Sequence, residues 1–176
     1  MVVASVNFRS TVRNVTGVTI GGVAATQIVG GDTQFAQYSA MWAANVPSGA
    51  TADVVVTCAA SDGKDVIVTT TAFTGFATSP SDTGIHSVNA ATSVTINAPN
   101  NSIVVAAAYV RGDSGNNPFV WTGVTSGPRA HEPTRNQTVE PAYNEVGGAG
   151  SGVFTVTADH PVHINNELMV AVFDAL

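Results

Sequence analysis

Apolar and polar residues alternate with a period of two along most of the chain, and the 3.6-residue period of helices is nearly absent. In residues 2–8 every second side chain, from Val2 to Phe8, would lie on one face of a strand. Residues 38–46 repeat this pattern around Trp42, which we expect in the core. The pattern predicts a protein built from strands.

Two pairs of turn residues predict where strands reverse direction. Gly21-Gly22 separates two strand-like segments and suits a tight primed turn, in which both central residues need a positive φ. Asp62-Gly63 lies between residues 53–59 and 65–73, and a pair of this kind is typical of hairpins. We therefore predict that these two segments pair with each other.

Strand-like segments separated by turn signals recur along the whole chain. Residues 102–111 form a strand-like segment that is apolar on both faces. Turn signals every 8 to 12 residues or so favour a sandwich or barrel over a βαβ fold. We predict a single all-β domain over residues 1–176, a β-sandwich of about ten short antiparallel strands, jelly-roll-like in preference to immunoglobulin-like.

One long segment, at about 125–152, lacks sustained alternation and concentrates proline and charged residues. Structureless loops longer than roughly 12–15 residues are uncommon in compact domains and are often functional. We predict a long loop or arm that contacts a partner, in preference to a solvated insertion. The candidate contact residues in it are Arg129, Glu132, Arg135, Glu140 and Tyr143.

Charged residues make up 10% of the chain, against an average near 25%. Such a surface lacks the charges that keep sheet edges apart, and it suits an assembly in which neighbouring copies cover it. The net charge of −6 and the scattered arginines argue against a nucleic-acid partner. No apolar run reaches the ~18 residues of a membrane helix, and no secretory leader is evident, so we expect a soluble homo-oligomer made in the cytoplasm.

The motif Gly112-Asp113-Ser114-Gly115 repeats the residues around the nucleophile of chymotrypsin-like proteases. That chemistry also needs a histidine base held by a buried carboxylate, and no histidine here has a matching sequence context. A turn rich in glycine explains the motif fully. We predict no enzymatic activity and no catalytic residue.

Histidine and cysteine spacing gives no metal site. His160 and His163 would lie on opposite faces of an extended segment, so we predict hydrogen-bonded or solvated histidines. Cys58 is the sole cysteine and alternates in phase with Val54 and Val56, as a small buried apolar residue would. No metal or other cofactor is predicted.

Aromatic residues offer an alternative function. Phe119 and Trp121 follow a loop rich in glycine and asparagine, and together they could form a stacking platform for a sugar. Core packing is the competing explanation for both rings.

A series of short motifs, in a fixed order, gives the chain a family resemblance. The motifs are Val18-Thr19-Ile20-Gly21-Gly22-Val23-Ala24-Ala25-Thr26, residues 46–49 with 53–57, residues 103–108, Trp121-Thr122-Gly123, and residues 169–173. The series spans most of the chain, and it resembles the β-sandwich structural module of tailed bacteriophage virion proteins.

The resemblance implies a non-enzymatic virion component made in the host cytoplasm. The first role that we expect is that of a capsid decoration or cement protein, which would bind the major capsid protein or other virion proteins. Its alternative would be a glycan-binding module of a head or tail fibre that attaches to a host surface glycan. The resemblance provides no catalytic residue.

Overall fold

The computed structural model describes residues 1–9, 15–32, 37–47, 51–59, 66–147, 152–162 and 164–176. Sixteen strands and no helix occur in these residues, and all strand pairs are antiparallel, so the all-β prediction is confirmed. The strands are β1 Val2–Phe8, β2 Val15–Ile20, β3 Val23–Ala24, β4 Thr26–Asp32, β5 Tyr38–Ala44, β6 Val54–Cys58, β7 Ile67–Ala72, β8 Asp82–Val88, β9 Thr92–Ala98, β10 Ser102–Arg111, β11 Val120–Thr122, β12 Thr125–Ser126, β13 Ala130–Glu132, β14 Gln137–Val146, β15 Gly152–Asp159 and β16 Asn166–Asp174.

The strands form four sheets that pack face to face, as sheets do in β-sandwiches. Sheet I has the order β3-β2-β6, sheet II β4-β5-β1-β7, sheet III β12-β14-β10-β16-β8 with β13 also on β14, and sheet IV β11-β15-β9. Three apolar clusters lie between successive sheets, so the layers follow one another from I to IV. Residue pairs that mark the interfaces are Val18 and Trp42 (I–II), Met41 and Val105 (II–III), and Ile96 and Val104 (III–IV).

The central position of β10 follows from its sequence. Its even-numbered residues, such as Ala106, pack toward sheet IV, and its odd-numbered residues, such as Ala107, pack toward sheet II. All residues from Ser102 to Val110 are buried. Burial on both sides explains why both faces of this strand are apolar.

β1 and β5 are also buried on both faces. Ala40, Trp42 and Ala44 share one buried face as predicted, and Trp42 is 8% exposed. The second face of β1 holds Ser5 and Asn7, which are buried as well. Although these residues are polar, sheet III covers this face.

The predicted hairpin between residues 53–59 and 65–73 is wrong. β6 pairs with β2 in sheet I, whereas β7 pairs with β1 in sheet II. Each strand takes the partner that buries its apolar face, and a local turn signal carries no information about that choice. The Asp62-Gly63 pair lies outside the described residues.

The first glycine turn is confirmed. Gly21 and Gly22 lie between β2 and β3 with φ values of 58° and 77°. A Cβ at Gly21 would also lie 2.8 Å from Val46 Cγ1. Both the positive φ and the lack of room for a side chain therefore favour glycine there.

The segment at about 125–152 is largely strand, which corrects the predicted arm. The ten residues of β14 pair with the whole length of β10. Pro141 fits within β14 because its carbonyl accepts a hydrogen bond from the Gly127 N–H at 2.7 Å, on the side away from β10. Since the N–H and C=O of a strand residue point to the same side, the missing N–H of Pro141 costs the β10 ladder nothing.

Buried polar residues broke the alternation that would have revealed β14. Gln137, Thr138 and Glu140 are all buried, and each is hydrogen-bonded to a side chain of another element. Such partners are distant in sequence, so the strand resembles a polar loop when its residues are considered alone.

Candidate functional site

A buried carboxylate organises the loop between β10 and β11. Asp113 Oδ2 accepts hydrogen bonds from the Thr138 hydroxyl at 2.6 Å and from the Asn117 backbone N–H at 2.8 Å. Its Oδ1 accepts from Asn117 Nδ2 at 2.7 Å and from the Gly115 N–H at 3.2 Å. Burial raises the pKa of Asp113, but the hydrogen bonds from Thr138 and Asn117 outweigh it and leave this pKa below its usual value.

His160 lies against the same loop. The Val162 N–H donates to its Nδ1 at 3.0 Å, so a neutral ring carries its proton on Nε2. Nε2 lies 3.1 Å from the Asn117 carbonyl oxygen and 3.5 Å from Asp113 Oδ2. The ring also contacts Phe119, with centroids 4.7 Å apart. His160 therefore fixes the loop onto the end of β15.

The protease-like motif forms a turn held by Asp113. Ser114 is exposed, and within the described residues no hydrogen bond joins it to His160. Both ring nitrogens of His160 contact backbone groups, and the carboxylate beside it lies on the Nε2 side. This geometry differs from a catalytic triad, in which the histidine nitrogen facing the serine is free to accept its proton.

A second buried carboxylate brings the two sets of predicted site residues together. Glu140 on β14 is 2% exposed, and its Oε1 accepts from the Trp121 indole N–H at 2.7 Å. Its Oε2 lies 3.4 Å from Arg129 Nη1 and accepts from the Phe119 N–H at 3.3 Å. Arg129 Nε in turn donates to Asn116 Oδ1 at 2.8 Å. These contacts join β11, β14 and the loops between them.

The same contacts hold both rings of the predicted stacking pair against the core. Phe119 is 5% exposed and belongs to the III–IV core, and Trp121 packs against that core. A glycan needs a free ring face, and the buried ring of Phe119 offers none.

The remaining predicted contact residues are dispersed. Glu132 accepts hydrogen bonds from the Thr134 and Arg135 N–H groups, at 2.9 and 2.7 Å, and so closes its own turn. Arg135 is half-buried beside it, whereas Tyr143 on β14 is 44% exposed. Of the five candidates, Arg129 and Glu140 meet each other and Tyr143 faces outward.

The outward face of sheet IV is a surface that the sequence analysis missed. The hydroxyls of Ser93 and Thr157 lie 2.8 Å apart, and those of Thr95 and Thr155 lie 3.2 Å apart. The strict alternation of buried and exposed residues in β9 carried the signal for this face. We call it the hydroxyl face; its members are Ser93, Thr95, Asn97, Val120, Thr122, Val153, Thr155, Thr157 and Asp159.

His86 and His131 are hydrogen-bonded, as predicted. His86 Nδ1 lies 3.0 Å from Thr92 Oγ1, and His131 Nδ1 lies 2.9 Å from Thr138 Oγ1. His163 lies outside the described residues. Cys58 is half-buried, in phase with Val54 and Val56.

Among the residues described, no three histidine, cysteine or acidic side chains are placed to hold a metal ion. In the same residues, no helix has the length and apolarity needed to cross a membrane. No known protein family, curated protein or solved structure is significantly similar to the chain. The phage resemblance therefore rests on the order of the sequence motifs alone.

Proposed function

We propose that this chain is a non-enzymatic structural protein that acts in a many-copy assembly, as a decoration or cement protein of a phage head. The observation that supports an assembly role is the hydroxyl face. It is a regular array of short side chains on the outer surface of the stack, and Val153 at its edge is 82% exposed. The phage head as the site of assembly comes from the motif resemblance.

The chemistry of the hydroxyl face suits repeated contacts with protein neighbours. Serine and threonine lose little side-chain entropy when they are covered, unlike lysine or glutamate. Their hydroxyls both donate and accept, so they can bond directly or through water to a partner surface. Interfaces of this polar, wet kind are common in assemblies of folded subunits.

The glycan-binding alternative has less support than the assembly role. Of its two rings, Phe119 is buried, and the half-buried Trp121 has its indole N–H engaged by Glu140. We therefore propose one function.

The proposal is tested by locating the chain in intact particles. We expect density on the head lattice and a copy number in the hundreds by quantitative mass spectrometry. A copy number of a few to a few tens, with density at a fibre or tail, would contradict the decoration role.

Variants at the hydroxyl face test whether it makes the contact. Thr95→Arg combined with Thr155→Arg adds two long charges to an exposed face, and the fold should tolerate this change. We expect folded protein that no longer binds depleted particles. Thr57→Arg, an exposed threonine on sheet I, is the matched control and should bind as the wild type does.

A further inference from the structure

The outer edge of β7 offers unpaired backbone groups. The Phe73 N–H donates to the Met1 carbonyl oxygen at 3.1 Å, and the Met1 nitrogen donates to the Phe73 oxygen at 2.9 Å. Residues alternate in direction along an antiparallel strand, so Val68, Thr70 and Ala72 direct their N–H and C=O groups away from β1. In the described part of the chain, no hydrogen bond reaches these groups.

The two edges of sheet II differ in how they are protected. β4, at the opposite edge, has register shifts between Gln27 and Val29 and between Gly30 and Asp32. Such bulges discourage another strand from pairing. β7 pairs with β1 in continuous register and contains no proline or charged residue, so its edge is open to pairing.

Grooves lie on both sides of this edge. The groove toward sheet III measures about 490 Å³, and the groove toward sheet I measures about 540 Å³. Thr70, Ala72 and Phe73 line both. The walls toward sheet III include Pro128, Pro141, Tyr143 and Glu145, and the walls toward sheet I include Ile20, Val46, Pro47, Ala52 and Val54.

We propose that β7 accepts an extended segment of another protein chain as a fifth strand of sheet II. An added strand would bond to the outward backbone groups and would send successive side chains alternately into the two grooves. Apart from Tyr143 and Glu145, both grooves are lined by apolar residues and threonine, so the segment is apolar or β-branched at most of its positions. This inference names a contact separate from the hydroxyl face and does not depend on it.

Charge and shape further define the segment. Glu145 is the charged side chain lining the groove toward sheet III, and no lysine or arginine among the described residues lines either groove. A single basic residue of the segment should face Glu145. A whole second copy fits less well. In each copy, sheets I and III lie on either side of β7, so pairing two β7 edges would bring the sheets of one copy against the groove walls of the other.

The test uses a displayed library of random ten-residue peptides selected on the immobilised full chain. We expect enriched peptides that alternate apolar or β-branched residues and carry one lysine or arginine. Their binding should slow hydrogen exchange of the Thr70 and Ala72 amides. Thr70→Pro removes one outward donor and leaves the β1 ladder intact, so it should weaken binding about tenfold or more.

Methylated peptides test the proposal on the wild-type protein, so this test does not depend on whether the Thr70→Pro variant folds. N-methylation of every second peptide amide should abolish binding in one phase and leave it nearly unchanged in the other, because only one set of amides faces β7. Glu145→Gln should weaken binding of the basic peptides at low salt.

Several outcomes would overturn the proposal. These are no enrichment above background, peptides that bind a folded Thr70→Pro variant as tightly as the wild type, or equal effects of the two methylation phases. A dimer of the purified chain that Thr70→Pro dissolves would assign the edge to a second copy instead.

Discussion

At the scale of single residues, the distribution of buried polar atoms is uneven. Asp113 and Glu140 have hydrogen bonds at both carboxylate oxygens. Between sheets II and III, by contrast, Asn7 Oδ1, Ser39 Oγ and Thr69 Oγ1 are buried and have no hydrogen-bond partner among the described residues. Satisfied groups stabilise the fold, whereas unsatisfied ones retain the cost of leaving water.

Stability in acid should depend on Asp113. Its pKa is lower in the folded protein than in the unfolded chain, so the ionised carboxylate stabilises the fold. That contribution is fully present above the unfolded-state pKa of about 4 and is lost as the pH falls through the folded value. Asp113→Asn should lower the unfolding free energy at pH 7 by about 2 kcal/mol and flatten its decline below pH 4.

Urea denaturation at pH values from about 2.5 to about 7 measures this effect, because carboxylates titrate within this range. Asp53→Asn, at an exposed aspartate, is the control and should keep the wild-type profile. An Asp113→Asn variant with an unchanged acid profile would contradict the assignment.

Two buried threonines should respond in opposite ways to the same substitution. Thr69 Oγ1 has no hydrogen-bond partner in the part of the chain that the structure describes, so Thr69→Val should raise the unfolding free energy by about 1 kcal/mol. Thr138 Oγ1 donates to Asp113, so Thr138→Val should lower it by about 2 kcal/mol. Chemical denaturation of both variants provides the comparison, and effects of the same sign would argue against this account.

At the scale of elements, β14 shows how a polar strand can be central. It pairs with β10 on one side and with β12 and β13 on the other, and it carries Glu140 into a buried network. Removing residues 129–145 would therefore delete most of a central strand, and we expect that deletion to prevent folding.

Among the residues of β14, replacing Glu140 should lower the unfolding free energy most. Glu140→Ala leaves the Trp121 and Phe119 N–H groups without their acceptor and removes the ion pair with Arg129, so it should cost about 3 kcal/mol of unfolding free energy. Glu145→Ala, at an exposed position on the same strand, should change stability by less than about 0.5 kcal/mol. Equal effects in thermal or urea denaturation would show that the network contributes little.

At the scale of the whole molecule, four stacked sheets produce a gradient of burial. Sheets II and III have apolar clusters on both faces, whereas sheets I and IV have one on a single face. Local opening is easier where fewer apolar contacts must be broken.

Native-state hydrogen exchange should therefore follow the layers. Amides of β10 and β16 should exchange only on global unfolding, and those of β2 and β3 should exchange through smaller openings. Equal protection of β3 and β10 amides would indicate that the four layers unfold as one unit.

The sequence by itself determined several of the strands and their buried faces. Period-two alternation placed β1 and β5, the run of apolar residues in β10 required burial on both sides, and Gly21-Gly22 predicted its turn. These features are local, because side-chain direction and backbone φ depend on neighbouring residues.

Only the tertiary structure decided which strands pair, how many layers form and which polar residues are buried. β7 joins β1 rather than β6, and β14 becomes a strand because Asp113, Tyr109 and Trp121 supply partners for its polar side chains. The hydroxyl face and the β7 edge likewise exist only once the sheets are stacked. Pairing and burial depend on contacts between residues far apart in the chain, and alternation alone does not encode those contacts.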